Sequence, residues 1–423
     1  MPESSISRKS FVKGAGLGAA ALSAGFPAFI PKLGEAADVL KIGEIEELTG
    51  VYAAVAQNQK RGVALAVDWW NKKGGVLGRK VEVIVEDNQN NPGVSVEKAR
   101  KLVNEDKVVA LVGTVNSAAT LSTSGAANAL GVMFVDSGGH ADQISGKDCH
   151  WSTFQTCHPT WALTHSTGYS IAKLFGKRWY MITPDYAFGH ALATGYQDVI
   201  KKLGGEIIDN DLTPLGTSDF SPYLTKVASA KPSCLLILVQ GEDWVNCLKQ
   251  ASSFGLLNKL PVAGPYAELE SVWAVPPEVR VGYWGTEWYY KGDIVFGSNK
   301  AAAENFVNAY KKLYNQPPTP RSCFGFIAMD RLLWSINEAK STDPVKCAKA
   351  LAGAPFRGLW DGSAVYRSSD HALQWPMWFG KLNPNGTPGD PHDVFHILDR
   401  QEAAQIYLSD AEASKACALK WPS

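Results

Sequence analysis

Residues 39–88 read VLKIGEIEELTGVYAAVAQNQKRGVALAVDWWNKKGGVLGRKVEVIVEDN, and this stretch decides the fold class. Residues 39–46 are strand-length and apolar-rich, 56–73 carry apolar positions at helical spacing and close on Gly74-Gly75, and 80–86 return to strand character. A strand, a covering helix and a second strand in this order form the unit of a parallel sheet.

The rhythm continues outward. A helix is expected at 94–105, a buried strand at 108–113, a small-residue helix at 118–129 and a strand at 132–135. After a cysteine-containing segment it restarts: helix 160–175, strand 178–183, helix 189–203, strand 206–209, helix 219–229, strand 234–239, helix 244–254 and a short strand at 261–264. Helices at 301–314 and 325–340 follow, then strands near 364–366 and 377–381. The class is α/β, with two doubly wound parallel-sheet lobes and a cleft between them.

Before this run, Arg8, Lys9 and Lys13 precede an uncharged stretch at 14–30, and Gly34-Glu35-Ala36 offers a small-residue cleavage site. These are the parts of an export signal, so residues 1–36 are expected to be removed near Ala36, leaving a periplasmic protein. The words around Arg8 resemble a twin-arginine signal with Lys9 in place of the second arginine, so that route and general secretion both stay open. Gly14, Gly16 and Ala19 match a dinucleotide fingerprint, but no strand precedes them.

The chain of 423 residues carries 41 basic and 41 acidic side chains; the leader would remove four of the former and two of the latter. Near-neutrality does not favour nucleic acid or an anionic membrane as partner. Seven cysteines in an exported chain leave at least one unpaired. Cys149 and Cys157 flank Trp151 and a strand-like aromatic segment and are the expected disulfide, with pairings among the other five open. His140, Cys149, His150, Cys157, His158 and His165 crowd one region, but without zinc-ligand spacing, so no metal is expected. No cofactor is expected either.

In open α/β sheets, solutes sit beyond the carboxyl ends of the strands, near helix N-termini. The corresponding loops are 48–52, 114–117, 136–140, 184–189, 240–243 and 264–268. They supply the candidate ligand contacts Tyr52, Asn116, Ser117, Gly138, Gly139, His140, Asp185, Tyr186, Phe188, Gln240, Glu242 and Tyr266.

Several words in these loops and their flanks carry a resemblance: Leu48-Thr49-Gly50-Val51-Tyr52-Ala53, Asn71-Lys72-Lys73-Gly74-Gly75-Val76-Leu77-Gly78-Arg79-Lys80, and Leu111-Val112-Gly113-Thr114-Val115-Asn116-Ser117. Asp185-Tyr186-Ala187-Phe188-Gly189, Thr217-Ser218-Asp219-Phe220-Ser221, Lys249-Gln250-Ala251 with Gly255-Leu256, and Arg367-Ser368-Ser369-Asp370-His371 extend it through the later part of the chain. In this order the chain resembles the periplasmic solute-binding proteins of ABC importers in the branched-chain amino acid class, with the type I binding-protein fold.

The resemblance implies three hinge crossings and discontinuous lobes, 38–157 with 287–357 and 158–286 with 358–423. It implies a monomeric carrier that closes around a small solute and hands it to membrane permease and ATPase subunits, making and breaking no bond. Ser117 and the Gly138-Gly139 turn take the family's carboxylate-binding positions; a plain helix cap is the alternative for Ser117. His140 stands where a small hydroxyl residue is common, and Tyr266 where amino-acid binders carry an acid, with Glu242, Asp243 or Glu268 as substitutes. Tyr52, Tyr186, Phe188, Tyr266, Trp288 and Phe324 are candidate walls for an aromatic or apolar solute.

The favoured solute is therefore a carboxylate with an aromatic or branched apolar body. The alternative is a branched-chain or aromatic amino acid, or a small amide such as urea. Nucleophile-elbow, P-loop and zincin motifs are missing from the sequence, so an enzyme is not expected. A ligand-sensing module is the remaining rival, since the same fold serves receptors.

Overall fold

Two sheets of one design account for the alternation. The computed structural model describes residues 39–422, so the expected leader at 1–36 lies outside the described residues. The first sheet contains β1 (Leu40–Glu46), β2 (Val81–Asp87), β3 (Ala110–Gly113), β4 (Met133–Asp136) and β5 (Thr153–Gln155), all parallel, in the order β2-β1-β3-β4-β5. The second contains β6 (Arg178–Pro184), β7 (Glu206–Thr213), β8 (Cys234–Ile237), β9 (Val262–Gly264) and β10 (Tyr283–Thr286), parallel in the order β7-β6-β8-β9-β10. The strand order is thus repeated, and in each sheet it reverses beside the first strand, which places a ligand crevice beyond β1 and β3 and another beyond β6 and β8.

A small antiparallel sheet of β11 (Pro355–Arg357), β12 (Ser363–Tyr366) and β13 (Leu373–Gln374) follows. Then β14 (Met377–Leu382) and β15 (Phe395–Gln401) extend the second sheet antiparallel from β10, an addition to the all-parallel expectation. The sequence reading contains neither β10 nor β15. The latter is an edge strand whose charged residues face water, so no apolar run marks it. By contrast β3, β4 and β8 are buried at every position and read as continuous apolar runs.

One helix pair positions much of the cleft. Ala53–Lys72 buries Val55, Ala56, Gln59, Gly62, Val63 and Ala66, a face with helical spacing, and it packs along the helix Pro320–Glu338. The two backbones almost touch. A Cβ on Gly62 would lie 2.0 Å from the Ser322 carbonyl oxygen, and one on Gly325 would lie 2.1 Å from that of Gln59. Only glycine permits this approach, and it carries the first turn of the second helix toward the ends of β1 and β4.

The disulfide expectation is corrected. Cys149 bonds Cys417, 268 residues away in sequence, and not Cys157. The Cys157 thiol is buried and donates to the Gly139 carbonyl oxygen at 3.0 Å. The C-terminal helix Asp410–Ala416 brings Cys417 back to Cys149, and Trp421 rests against Trp151 and His371 at ring separations of 5.9 and 5.7 Å. Nearness in sequence said nothing about a partner delivered by the tertiary fold. Among the described residues, no helix is long and apolar enough to cross a membrane.

Candidate functional site

The crevice beyond the first sheet is built from three loops. Tyr52 follows β1 and is buried ahead of the helix Ala53–Lys72. After β3, Asn116 caps the helix Ser117–Leu130, its oxygen accepting from the N–H of Ala118 at 2.8 Å and its amide donating to Asn90 at 2.7 Å. The capping role weighed for Ser117 therefore falls to Asn116, whose oxygen is spent on the cap while its amide is held by Asn90. Ser117 instead accepts, at Oγ, the N–H groups of His140 (3.1 Å) and Ala141 (3.2 Å), which leaves its hydroxyl proton to offer.

After β4, Gly138 and Gly139 do form an amide nest, but both N–H groups donate to Oδ1 of Asp136, at 3.0 and 2.8 Å. The seat expected for a solute carboxylate there is filled by the chain's own. Burial raises the Asp136 pKa well above its ordinary value, against the lowering effect of these two bonds.

His140 occupies the centre. Its Nδ1 lies 2.8 Å from the His158 carbonyl oxygen, so Nδ1 carries a proton, and burial lowers the pKa to about 4. The ring is neutral at pH 7, and Nε2 is an acceptor with no hydrogen-bond partner, 3.6 Å from Glu287 Oε2. Glu287 accepts from the backbone N–H and Nδ1 of His158 at 3.0 and 2.9 Å. Burial opposes its charge, but the neighbouring imidazoles and Arg321 outweigh this and hold its pKa below the ordinary value.

The second sheet closes over this centre. Around the His140 ring stand Tyr266, Phe188 and Phe324, at 5.1, 5.9 and 6.2 Å between ring centres. Tyr186 adjoins Phe188, and its hydroxyl lies 2.5 Å from that of Tyr52 across the crevice. Gln240, after β8, donates to the Tyr266 carbonyl oxygen at 3.3 Å, and its own Oε1 is buried without a partner. These residues come together at the seam between the two sheets.

Three others do not join them. Asp185 is exposed and pairs with His190 at 3.0 Å, on the rim. Glu242 is also exposed; its N–H donates to the Val51 carbonyl oxygen, and it lines a cavity of about 370 Å³ at the mouth with Lys249 and Glu270. Trp288, a candidate wall, is a core residue that donates to the Leu359 carbonyl oxygen and packs on Phe296 and Phe306.

The residue missed by sequence reading is Arg321. It is buried in the first turn of Pro320–Glu338, and its Nη1 donates to the Gly138 carbonyl oxygen at 2.9 Å. From the other side of the crevice, Glu268 Oε1 accepts from Nε at 2.8 Å and Nη2 at 2.5 Å, and the Tyr266 hydroxyl accepts from Nη2 at 3.3 Å. Phe324 stacks near the guanidinium at 5.6 Å. Burial raises the Glu268 pKa, an effect that Arg321 partly offsets. One signal was available in the sequence: a cation in a helix's first turn opposes the helix dipole and calls for a compensating reason.

This geometry is a buried seam of rings packed around His140, with one guanidinium, hydroxyl protons left to offer on Ser117 and Tyr266, and unpartnered acceptors on His140 and Gln240. A family model described as periplasmic binding protein matches residues 39–387. The chain belongs to the periplasmic binding protein family.

Membership implies an exported, periplasmic protein, and the fold is that of the type I periplasmic binding proteins. It is 24% identical over 391 residues to a Leu/Ile/Val-binding protein homolog 4 of Brucella abortus, covering 88% of this chain and 89% of the relative. It resembles the solved amino acid ABC transporter substrate-binding protein of Pseudomonas fluorescens Pf-5, with 27% identity and a TM-score of 0.81 over 91% of this chain and 100% of that one. The R. palustris ABC transporter solute-binding protein solved with benzoate shares the fold, at 20% identity and a TM-score of 0.77 over 88% of this periplasmic binding protein and 99% of that chain.

Proposed function

We propose that this protein is the extracytoplasmic solute-binding component of an ABC importer, capturing a small organic solute with a carboxylate head and an aromatic or branched apolar body. The observation that carries this reading is the buried Arg321 guanidinium facing an aromatic enclosure of Phe188, Tyr266 and Phe324 around His140. A guanidinium presents a planar fork to a carboxylate, and the rings remove apolar surface from water. Ser117 supplies a further donor. The substrate-binding roles named for the Pseudomonas and R. palustris proteins support the same assignment.

The lobes run 38–157 with 287–357 and 158–286 with 358–423, the first holding β1–β5 and the second β6–β10, β14 and β15. Export removes the leader near Ala36, and the mature monomer delivers its solute in the closed form to a permease and its ATPase subunits. The protein carries its solute and does not transform it.

A second reading, an apolar amino acid, is favoured by Glu268. Both Arg321 bonds fall on its Oε1, so Oε2 remains for a solute ammonium group. A thermal-shift screen of the mature protein tests both readings, because a solute at 100 times its Kd stabilises by about 2.7 kcal/mol. Benzoate, 4-hydroxybenzoate or branched carboxylates are expected to raise Tm. Shifts with leucine or phenylalanine alone would select the second reading, and no shift with either class would overturn the assignment.

A further inference from the structure

We propose that the aromatic body of the solute carries a hydroxyl group whose proton His140 Nε2 accepts, so that His140 ranks hydroxyaromatic carboxylates above plain ones. The inference rests on the crevice receiving a carboxylate solute, as argued above, and narrows that class.

Two buried acceptors at the ring-lined seam lack a donor: His140 Nε2 and Gln240 Oε1. Neither can exchange its role. Turning the His140 ring over would put a carbon where Nδ1 now meets the His158 carbonyl oxygen at 2.8 Å, and turning the Gln240 amide would set its oxygen against the Tyr266 carbonyl oxygen. With the proton on Nδ1 and the ring kept neutral by burial, Nε2 presents only a lone pair. Glu287 Oε2, 3.6 Å away, is another acceptor, and Glu287 is held in place by the two bonds that His158 donates to its Oε1. Buried polar atoms in native folds are nearly always paired, and a lone pair fixed in this way is explained by a donor that arrives with the solute.

The surroundings decide which donor. The walls beside His140 are the rings of Tyr266, Phe188 and Phe324, which suit a flat apolar body. An ammonium group would bring three donors and a charge to be stripped of water, and an amide would bring two donors. A phenol brings one donor, no charge and its own ring. Its proton is also more acidic than that of an alkyl alcohol, which strengthens the bond to a neutral imidazole. The donors of the seam, Arg321 with the hydroxyls of Ser117 and Tyr266, remain for the carboxylate.

Calorimetric titration of the mature protein with benzoate, 3- and 4-hydroxybenzoate and the matching methoxybenzoates separates the proton from the ring and the oxygen. At least one hydroxybenzoate is expected to bind roughly tenfold tighter than benzoate, and its methoxy counterpart no tighter. His140→Asn keeps a donor for the His158 carbonyl and removes the acceptor. Its preference, read as a ratio of two Kd values so that a general loss of affinity cancels, should fall to about one. His140→Gln, whose longer amide brings an oxygen toward the place of Nε2, should restore part of it. Where neither variant folds, the nitrogen-15 resonance of His140 Nε2 in wild type decides: it should move further upfield with the preferred hydroxybenzoate than with benzoate. A wild type that binds benzoate but no hydroxybenzoate more tightly, equal resonance shifts, or a preference that survives in folded His140→Asn overturns the role of His140 and leaves the carrier reading standing. If none of the benzoates binds, the inference fails, and the carrier reading fails with it only when branched carboxylates and amino acids also go unbound.

Discussion

The hydroxyl of Tyr52, beyond the first sheet, lies 2.5 Å from the hydroxyl of Tyr186, beyond the second. Both rings also border the crevice, so this contact reports closure directly. A hydrogen bond of this kind contributes about 1 kcal/mol net, enough to move an open–closed balance roughly fivefold. Tyr186→Phe is expected to raise the open fraction by that factor, read as a larger radius of gyration in small-angle X-ray scattering. An unchanged scattering curve would show that the contact does not bear on closure.

The Gly62 and Gly325 approach makes a stability prediction. Alanine at 325 would place Cβ 2.1 Å from a backbone oxygen, which cannot swing aside as a side-chain tip can. Overpacking of this type costs about 1–3 kcal/mol, more than alanine's helix propensity returns. Urea unfolding of Gly325→Ala should show a lower midpoint, and a midpoint at or above wild type would contradict the close crossing.

Cys149 and Cys417 close a loop spanning a sequence separation of 268 residues. Replacing both by serine is expected to lower stability by about 2–5 kcal/mol under oxidising conditions. Replacing Cys157 should leave the disulfide intact. Peptide mapping without reductant distinguishes the pairs, since a Cys149–Cys157 peptide would refute the connectivity.

His140 supplies a pH dependence. Burial lowers its folded-state pKa from 6.5 to about 4, so between these values the unfolded chain binds more protons than the folded one. Its contribution is complete above pH 6.5 and is lost as pH falls toward 4, amounting to on the order of 3 kcal/mol. His371, stacked on Phe154 and lowered by burial to about 4, acts in the same sense. The stability difference between pH 7 and pH 4.5 should shrink in His140→Asn; an imidazole NMR titration near pH 6.5 would exclude the buried neutral state.

Much of the sheet architecture was legible because buried parallel strands write themselves as apolar runs. The runs at 108–113, 132–135 and 234–239 each overlap a strand buried at every position. The loops after these strands were legible for the same reason, and they contain Ser117, His140 and Gln240. Asn116 was placed in the right loop, but its side chain turned to the helix it caps. The Gly138-Gly139 nest was also placed correctly, yet Asp136 fills it from two residues away, a local competition that residue types alone do not reveal.

By itself, then, the chain's pattern of apolar periods and turn residues determined an α/β protein with two sheet-forming halves, since these signals act over a few neighbouring residues. Only the tertiary structure decided that Arg321 meets Glu268, that Tyr52 meets Tyr186 and that Cys149 meets Cys417. Each pair joins segments dozens to hundreds of residues apart. Their meeting depends on strand order, on the glycine-lined helix crossing and on closure of one half upon the other, none of which leaves a local mark in the sequence.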